Sequence, residues 1–481
     1  MANEIELKLE LARSIAPADL ATALALETGT SKSTHAVYFD TPDNLLAREG
    51  ISLRVRAQGE TRTQTIKRTR SGGAGYFDRD EWETALAGHL PIVDDLEALG
   101  IGADARATIA AVFTVDVDRT KWTIAQDDAL IEMVLDIGAV RMPGRLAPIN
   151  EIELELVSGS PAALFALALR LDAAIPVRPG VLTKAARGYR LSNAAVGAVK
   201  ADPVALESAM TAEQALSAIA ANCLTQYRLN EEIVLSHRSP EALHQARVGL
   251  RRLRSALSIG KAMANDAEAP RIRGELKWLA GVLGRARDLD VMGARLTGED
   301  RAVIEAAALR AYDEVVETLN SDRARQGLIG LSAWLATGDW RTAQDTATAR
   351  AQTASAFAAR TLERLDKTLT KHGKRLAKGP DAARHAVRKL AKKMRYGAEF
   401  FGPLFTGKTA RKRRARLLER IETVQDRLGD LNDRVAAPER AQRYGLGEDF
   451  QSRMELAGKS QLIKASVKAF ADLADEKRFW R

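Results

Sequence analysis

The 481 residues are 46% hydrophobic and 28% charged, enough for two or three domains with their own cores and unlike a disordered chain. No run of eighteen apolar residues occurs, so no membrane span is read, and the charged N-terminus does not resemble a signal peptide. The single cysteine, Cys223, excludes an internal disulfide framework and points to a reducing cytoplasm; one cysteine and six histidines also argue against a structural zinc site.

The net charge of +9 is unevenly divided. Residues 1–195 hold 21 Lys and Arg against 27 Asp and Glu, a net of −6; the remainder holds 51 against 36, a net of +15. Such asymmetry predicts two domains, the basic one meeting a polyanion.

Up to about residue 192 the pattern has period two: "EIELKLE" at 4, "ISLRVRA" at 51, "TRTQTIKRT" at 61, "DEWET" at 80, "ALIEMVLDIGAV" at 129 and "NEIELEL" at 150 read as strands. Helices are predicted in "PADLATALAL", "DDLEALG", "DARATIAAVF" and "SPAALFALALRLDAAI", the last with Ser160 as N-cap and Pro161 at the first helical position. The expected fold class is α+β: an antiparallel β-barrel or tunnel with flanking helices over residues 1–192, a linker at 193–207, and an all-α helical bundle over 208–481.

Several strands reserve one face for charge. Glu4, Glu6, Lys8 and Glu10 share a face, as do Glu151, Glu153 and Glu155, and Arg79, Glu81 and Glu83. Arg54 with Arg56, Lys67, and Glu132 with Asp136 add to the set. A single such strand would leave that face in water. Repetition predicts a closed barrel with a charged lumen and an apolar exterior covered by helices. Clustered carboxylates suit Mg²⁺ or Mn²⁺, while arginine and lysine clamp the oxygens of a phosphate chain. No Walker-type glycine loop is present.

From about residue 208 the period becomes 3.6, and an internal repeat appears. "LHQARVGLRRLRSAL" at 243 is echoed by "RHAVRKLAKKMRYGA" at 384, and "LGRARDLDVM" at 283 by "QDRLGDLNDRV" at 425. The offsets are 141 residues for the first pair and 142, through Asp288 and Asp430, for the second, which predicts two pseudo-symmetric halves. His244, Arg247, Arg251 and Arg254 share the spacing of His385, Arg388, Lys392 and Arg395. At about 100° per residue each set falls within a sector of ~80°, a stripe of cations. Like charges on one face destabilise a helix, so a duplicated stripe predicts a bound anion. Further cations follow in "GKTARKRRAR" at 407. Few aromatics accompany these residues and no nucleic-acid-binding motif is visible, so a phosphate polymer without bases is expected.

The helical half resembles the CHAD domain, a conserved histidine α-helical family; the resemblance implies that His244, Arg247, Arg251, Arg254, His385, Arg388, Lys392 and Arg395 bind inorganic polyphosphate. Residues 1–192 resemble the CYTH superfamily, the triphosphate tunnel metalloenzymes, through Glu4-x-Glu6-x-Lys8, "YFDTPDNLL", "LRVR", "TIK", "RDEWE", "IEMVLDIG", "EIELEL" and "TKAARGY". That resemblance implies Glu4, Glu6, Asp136, Glu151 and Glu153 as metal ligands for Mg²⁺ or Mn²⁺. It implies Lys8, Arg54, Arg56, Lys67, Arg119, Lys184 and Arg187 as the triphosphate clamp, with Glu4, Glu6, Lys8 and Lys67 serving catalysis. The two together imply a cytoplasmic inorganic triphosphatase that splits tripolyphosphate and binds long-chain polyphosphate, with no specific nucleic acid and no membrane as partner. Adenylate cyclase, thiamine or nucleoside triphosphatase, and a non-catalytic polyphosphate scaffold are the alternatives.

Overall fold

The computed structural model describes residues 2–192, 197–446 and 458–481. The contacts divide the chain into two compact units, Met1–Gly197 with Leu319–Gly338, and Ala198–Thr318 with Asp339–Arg481. Residues 193–196 of the expected linker lie outside the described residues.

Among the described residues of the first unit nine strands form one sheet: β1 (Ala2–Leu11), β2 (Thr30–Asp40), β3 (Ile51–Gln58), β4 (Thr61–Gly73), β5 (Tyr76–Leu86), β6 (Ala110–Gln126), β7 (Ala129–Met142), β8 (Arg145–Ser158) and β9 (Val177–Pro179). Their order is β5-β4-β3-β2-β6-β7-β8-β1-β9, and a further β5–β1 pairing closes eight of them into an antiparallel barrel. On one side β1 pairs with β8. On the other it pairs with β5 from Ala2 to Leu7, then with β9 from Leu9 to Leu11. Lys8 stands at the changeover, its N–H donating to Gly75 O and its carbonyl accepting from Gly180 N–H, both at 2.8 Å.

The barrel has the inverted polarity expected of it. Leu7, Leu9, Ile131, Met133, Leu135, Ile152 and Leu154 point outward and are buried under Leu164, Phe165, Leu167 and Leu171 of a helix at Ala162–Ala174. Burying such a side chain contributes roughly 1.5–3 kcal/mol, which fixes strand parity and therefore turns the charged alternate residues into the bore. That helix starts one residue later than Pro161 at its first position would require; Ser160 Oγ nonetheless accepts from Ala162 N–H at 3.3 Å.

The helix expected in "DARATIAAVF" is only one turn, Ala103–Arg106, after which β6 begins at Ala110. Phe113, Val115 and Val117 alternate with polar residues and pair with β2, so strand periodicity overrides the alanine content. A nine-residue helix, Lys184–Ser192, enters one end of the bore. Its Gly188 lies against the Phe113 ring, where a Cβ would meet ring carbons at 2.4 Å, and Phe113 stacks in turn on Tyr38 and meets Tyr189 edge to face.

One helix of the C-terminal half, Asp322–Thr337, belongs to this first unit. Ile329 joins the apolar cluster beneath the barrel strands, and the buried Arg325 Nε bonds Asp172 Oδ1 at 2.6 Å.

The second unit is helical. Ala212–His237, Pro240–Ile259 and Ala269–Gly293 form one three-helix run, and Ala354–Gly373, Asp381–Phe401 and Lys408–Tyr444 form the other. The two runs begin alike. Thr211 and Thr353 cap their helices through side-chain oxygens, and Ala212 N–H donates to Gln352 O while Ala354 N–H donates to Met210 O, each at 2.8 Å. That reciprocal bridge relates positions 142 residues apart, the signature of the pseudo-symmetry read from the repeat.

The third helices are not in the register assigned to Asp288 and Asp430. Gly284 faces the Arg247 guanidinium and Gly429 faces that of Arg388, an offset of 145 residues. Four extra residues, about one helical turn, separate the second and third helices of the later run.

Candidate functional site

The inward residues of the barrel enclose a cavity of ≈ 200 Å³. Eight cations line it, Lys8, Arg54, Arg56, Lys67, Arg79, Arg119, Lys121 and Lys184, together with the carboxylates Glu4, Glu6, Glu81, Glu83, Glu132, Glu153 and Glu155. Opposite charges interleave around the wall. Lys67 Nζ lies 2.5 Å from Glu4 and 3.1 Å from Glu81; Arg79 lies 3.2 Å from Glu4 and 2.6 Å from Glu6. Arg119 bonds Asp136 at 2.6 and 2.8 Å and reaches Glu153 at 3.1 Å.

Depth orders the site. At the mouth, Lys121 and Glu83 are 48% and 46% exposed; at the base, Lys8 is 1% and Asp136 and Glu151 are 0% exposed. Lys184, brought in at the start of its helix, contacts Asp136, Glu151 and Glu153 at 2.6–2.8 Å, and Lys8 contacts Glu151 at 2.9 Å and also pairs with Glu153. Burial would pull the Lys8 and Lys184 ammonium groups down, but the facing carboxylates outweigh it and hold both above the ordinary lysine range. By the same balance Glu153, buried beside Lys184, Lys8 and Arg119, is held well below the usual carboxylate range. Glu155 behaves differently: burial, reinforced by Glu4, pushes it up to about 7.

The predicted residues therefore separate into two groups. Glu4, Glu6, Lys8, Arg54, Arg56, Lys67, Arg119, Glu153 and Lys184 line the cavity. Asp136, Glu151 and Arg187 lie behind it: Asp136 and Glu151 are engaged by Lys184, and Arg187 lies 3.3 Å from Glu10 and 3.6 Å from Glu151. Cross-strand register explains the difference. Glu6 stands opposite Glu155, Lys8 opposite Glu153, and Glu10 opposite Glu151, so Glu155 and not Glu151 is level with the opening Glu-x-Glu pair. Arg79 was missed as a clamp residue, although it shares the face of Glu81 and Glu83 and its register partner is Glu4.

The donor chemistry fits a hard divalent cation. Carboxylate oxygens of Asp136, Glu151 and Glu153 lie within 4.8 Å of one another. Nearer the opening, Glu4 Oε2 and Glu6 Oε1 are buried and accept no hydrogen bond.

In the second unit the two cationic stripes come together. Lys392 is flanked by Arg251, Arg388, Arg247 and Arg395, and burial together with these neighbours lowers its ammonium to about 7. Burial and the adjacent Arg287, Arg251 and Arg247 likewise hold His244 at about 4. Arg251 Nε donates to Tyr396 OH at 2.6 Å, and the guanidinium groups of Arg251 and Arg395 both lie over the Tyr396 ring. Arg254 is exposed beyond this group, and His385 turns to Asn432 Oδ1 at 3.0 Å. Arg287 was not singled out by the spacing argument because it comes from the third helix of its run, not from the stripe.

A base whose folded pKa lies below its unfolded value takes up its proton more readily on unfolding, so stability rises with pH between about 7 and the ordinary lysine value of 10.5. Lys392→Gln should therefore stabilise the anion-free protein at pH 6.5 by at least ~1 kcal/mol, with a smaller gain at pH 9.5. Urea denaturation at low ionic strength checks this; an equal gain at both values would mean that the charge is not what strains the site.

The chain thus combines a closed antiparallel barrel with a charged bore and a duplicated helical unit bearing a cationic face. Residues 2–189 match the CYTH domain and residues 218–442 the CHAD domain. It is 30% identical over 203 residues to an inorganic triphosphatase of Haemophilus influenzae, a stretch covering 40% of this chain and 56% of that protein. An uncharacterized protein of Mycobacterium tuberculosis is 27% identical over 468 residues, 91% of this chain and 87% of the other. Among solved structures, the CHAD domain from Ricinus communis is 28% identical with a TM-score of 0.49, covering 59% of this chain and 98% of that one. A Hippeastrum protein described as having a dominant triphosphatase activity is 20% identical with a TM-score of 0.32, covering 40% and 97%. No helix among the described residues is long and apolar enough to cross a membrane.

Proposed function

We propose that this chain is a metal-dependent inorganic triphosphatase of the cytoplasm, hydrolysing tripolyphosphate to diphosphate and orthophosphate, and that its helical unit binds long-chain polyphosphate. The observation that carries the reading is the bore itself, where eight cations and seven carboxylates face one cavity inside a closed barrel. The size and lining favour an inorganic substrate. The cavity lies below the ~300 Å³ at which pockets for drug-sized ligands begin, and among the described residues Tyr38, buried and already stacked on Phe113, is the only aromatic residue lining it. A nucleobase or thiazolium ring would have no stacking slot there.

In this reading Arg54, Arg56, Lys67, Arg79 and Arg119 hold the phosphate oxygens, exchanging part of their present pairing with glutamates for the more highly charged chain. Glu4, Glu6, Glu153 and Glu155 would hold the divalent cation, while Lys184, Lys8 and Arg119 keep Glu153 ionised and are themselves anchored by Asp136 and Glu151. When bound, Mg²⁺ or Mn²⁺ supplies charge neutralisation and water activation. Lys8 and Lys184 remain protonated at the base of the bore and neutralise charge that builds on the phosphate oxygens as the anhydride breaks.

Orthophosphate release from tripolyphosphate, ATP and thiamine triphosphate, each with Mg²⁺ and with Mn²⁺, tests the assignment. Tripolyphosphate should be turned over fastest and chelation should stop the reaction. Faster turnover of ATP, or release of diphosphate from ATP with a cyclic product, would replace the assignment with a nucleotide-directed one.

A further inference from the structure

The barrel wall has a joint at Lys8. There β1 loses β5 as its partner and gains β9, and the gap is bridged by two backbone hydrogen bonds, Lys8 N–H to Gly75 O and Gly180 N–H to Lys8 O. Neither bridging segment is held by the barrel alone. Gly75 sits in the turn between β4 and β5 with φ +90°, and a Cβ there would lie 3.0 Å from Pro179 and 3.1 Å from Lys8 O, so the turn is tight and intolerant of a side chain.

Both segments are tied to the helix at Asp322–Thr337. Ser332 Oγ donates to Ala74 O at 2.7 Å, the residue next to Gly75, and both partners are buried. Arg325 Nε bonds Asp172 Oδ1 at 2.6 Å, and that same oxygen accepts from Val177 N–H at 3.1 Å where β9 begins. Arg178 of β9 donates to Leu319 O at 3.1 Å and to Asn320 Oδ1 at 2.7 Å, just ahead of the helix. The helix thus grips the two segments that in turn grip the peptide groups of Lys8.

We propose that this helix, contributed from the middle of the C-terminal half, is a positioning element of the tunnel site: through Ser332 and Arg325 it sets the backbone of Lys8, and with it the ammonium that faces Glu151 and Glu153. Ser332 and Arg325 are positioning residues that act through Lys8. The inference rests on the triphosphatase reading of the bore for its kinetic consequence, not for its geometry.

The test compares Ser332→Ala with Ile329→Val in the full chain. Ile329 is buried in the same helix, so Ile329→Val perturbs its packing while leaving both ties in place. A partly unfolded enzyme loses active molecules and apparent kcat, but its KM does not change. Ser332→Ala should therefore raise KM for tripolyphosphate about tenfold or more, because the Lys8 ammonium that meets the bound phosphate chain at the base of the bore is displaced, while Ile329→Val leaves KM at the wild-type value. Equal KM in all three proteins overturns the proposal. Kd for tripolyphosphate, measured by calorimetry with the helical face silenced by Arg247→Glu and Arg388→Glu, gives the same comparison without turnover. If wild-type enzyme does not hydrolyse tripolyphosphate, the triphosphatase reading fails, and the Kd comparison still decides the positioning role.

Discussion

Glu4→Gln is expected to lower metal-dependent hydrolysis of tripolyphosphate by at least about a hundredfold while leaving polyphosphate binding by the helical unit intact. Glu4 is buried, bonds Lys67 at 2.5 Å, faces Arg79 at 3.2 Å and keeps Oε2 without a hydrogen-bond partner. The amide preserves shape but removes a full negative charge and one oxygen ligand. The neighbouring cations keep Glu6 and Glu81 as partners, so the loss should fall on turnover more than on folding. Steady-state phosphate release at several Mn²⁺ concentrations, with circular dichroism to confirm the fold, reads the effect. Full activity in the variant would remove Glu4 from the metal site.

The second large effect should be the complement of the first. Arg247→Glu with Arg388→Glu places two anions at equivalent points of the pseudo-repeat, beside Lys392 and the remaining arginines. Polyphosphate binding should become undetectable at physiological salt. A milder pair, Arg247→Gln with Arg388→Gln, should reduce the slope of log K against log salt by about two, by analogy with other polyanion contacts. Tripolyphosphate turnover should remain at the wild-type level in both. Retained polymer affinity in the charge-reversed protein would mean that the polymer binds elsewhere, and the cations of "GKTARKRRAR" would be the next to test.

Much of the first unit was legible because its alternation is strict. The sequence alone places Glu4, Glu6 and Lys8 in a bore, since Leu7 and Leu9 must be buried on the other face and several strands share the pattern. Parity could not show which glutamate of "EIELEL" is level with Glu4 and Glu6. That depends on antiparallel register, which puts Glu155 opposite Glu6 and drops Glu151 to the base. The helix at Asp322–Thr337 was illegible for another reason. Its periodicity is that of its neighbours, and its partners Asp172 and Ala74 lie 153 and 258 residues away in sequence. The repeat, visible through His244 and His385, fixed the first two helices of each run. The extra turn before Gly429 was hidden because Asp288 and Asp430 matched in sequence without matching in space.

Tyr38, Phe113 and Tyr189 pack ring against ring in an apolar cluster that also takes in Ala185, the residue after Lys184. In the triphosphatase reading, were that cluster to close its end of the bore, a linear anion would have to enter tip first and the severed piece would back out by the way it came. Long chains would then be trimmed at their ends, never cut in the middle. Length would tell on traffic through the mouth and leave the bond-breaking step unchanged.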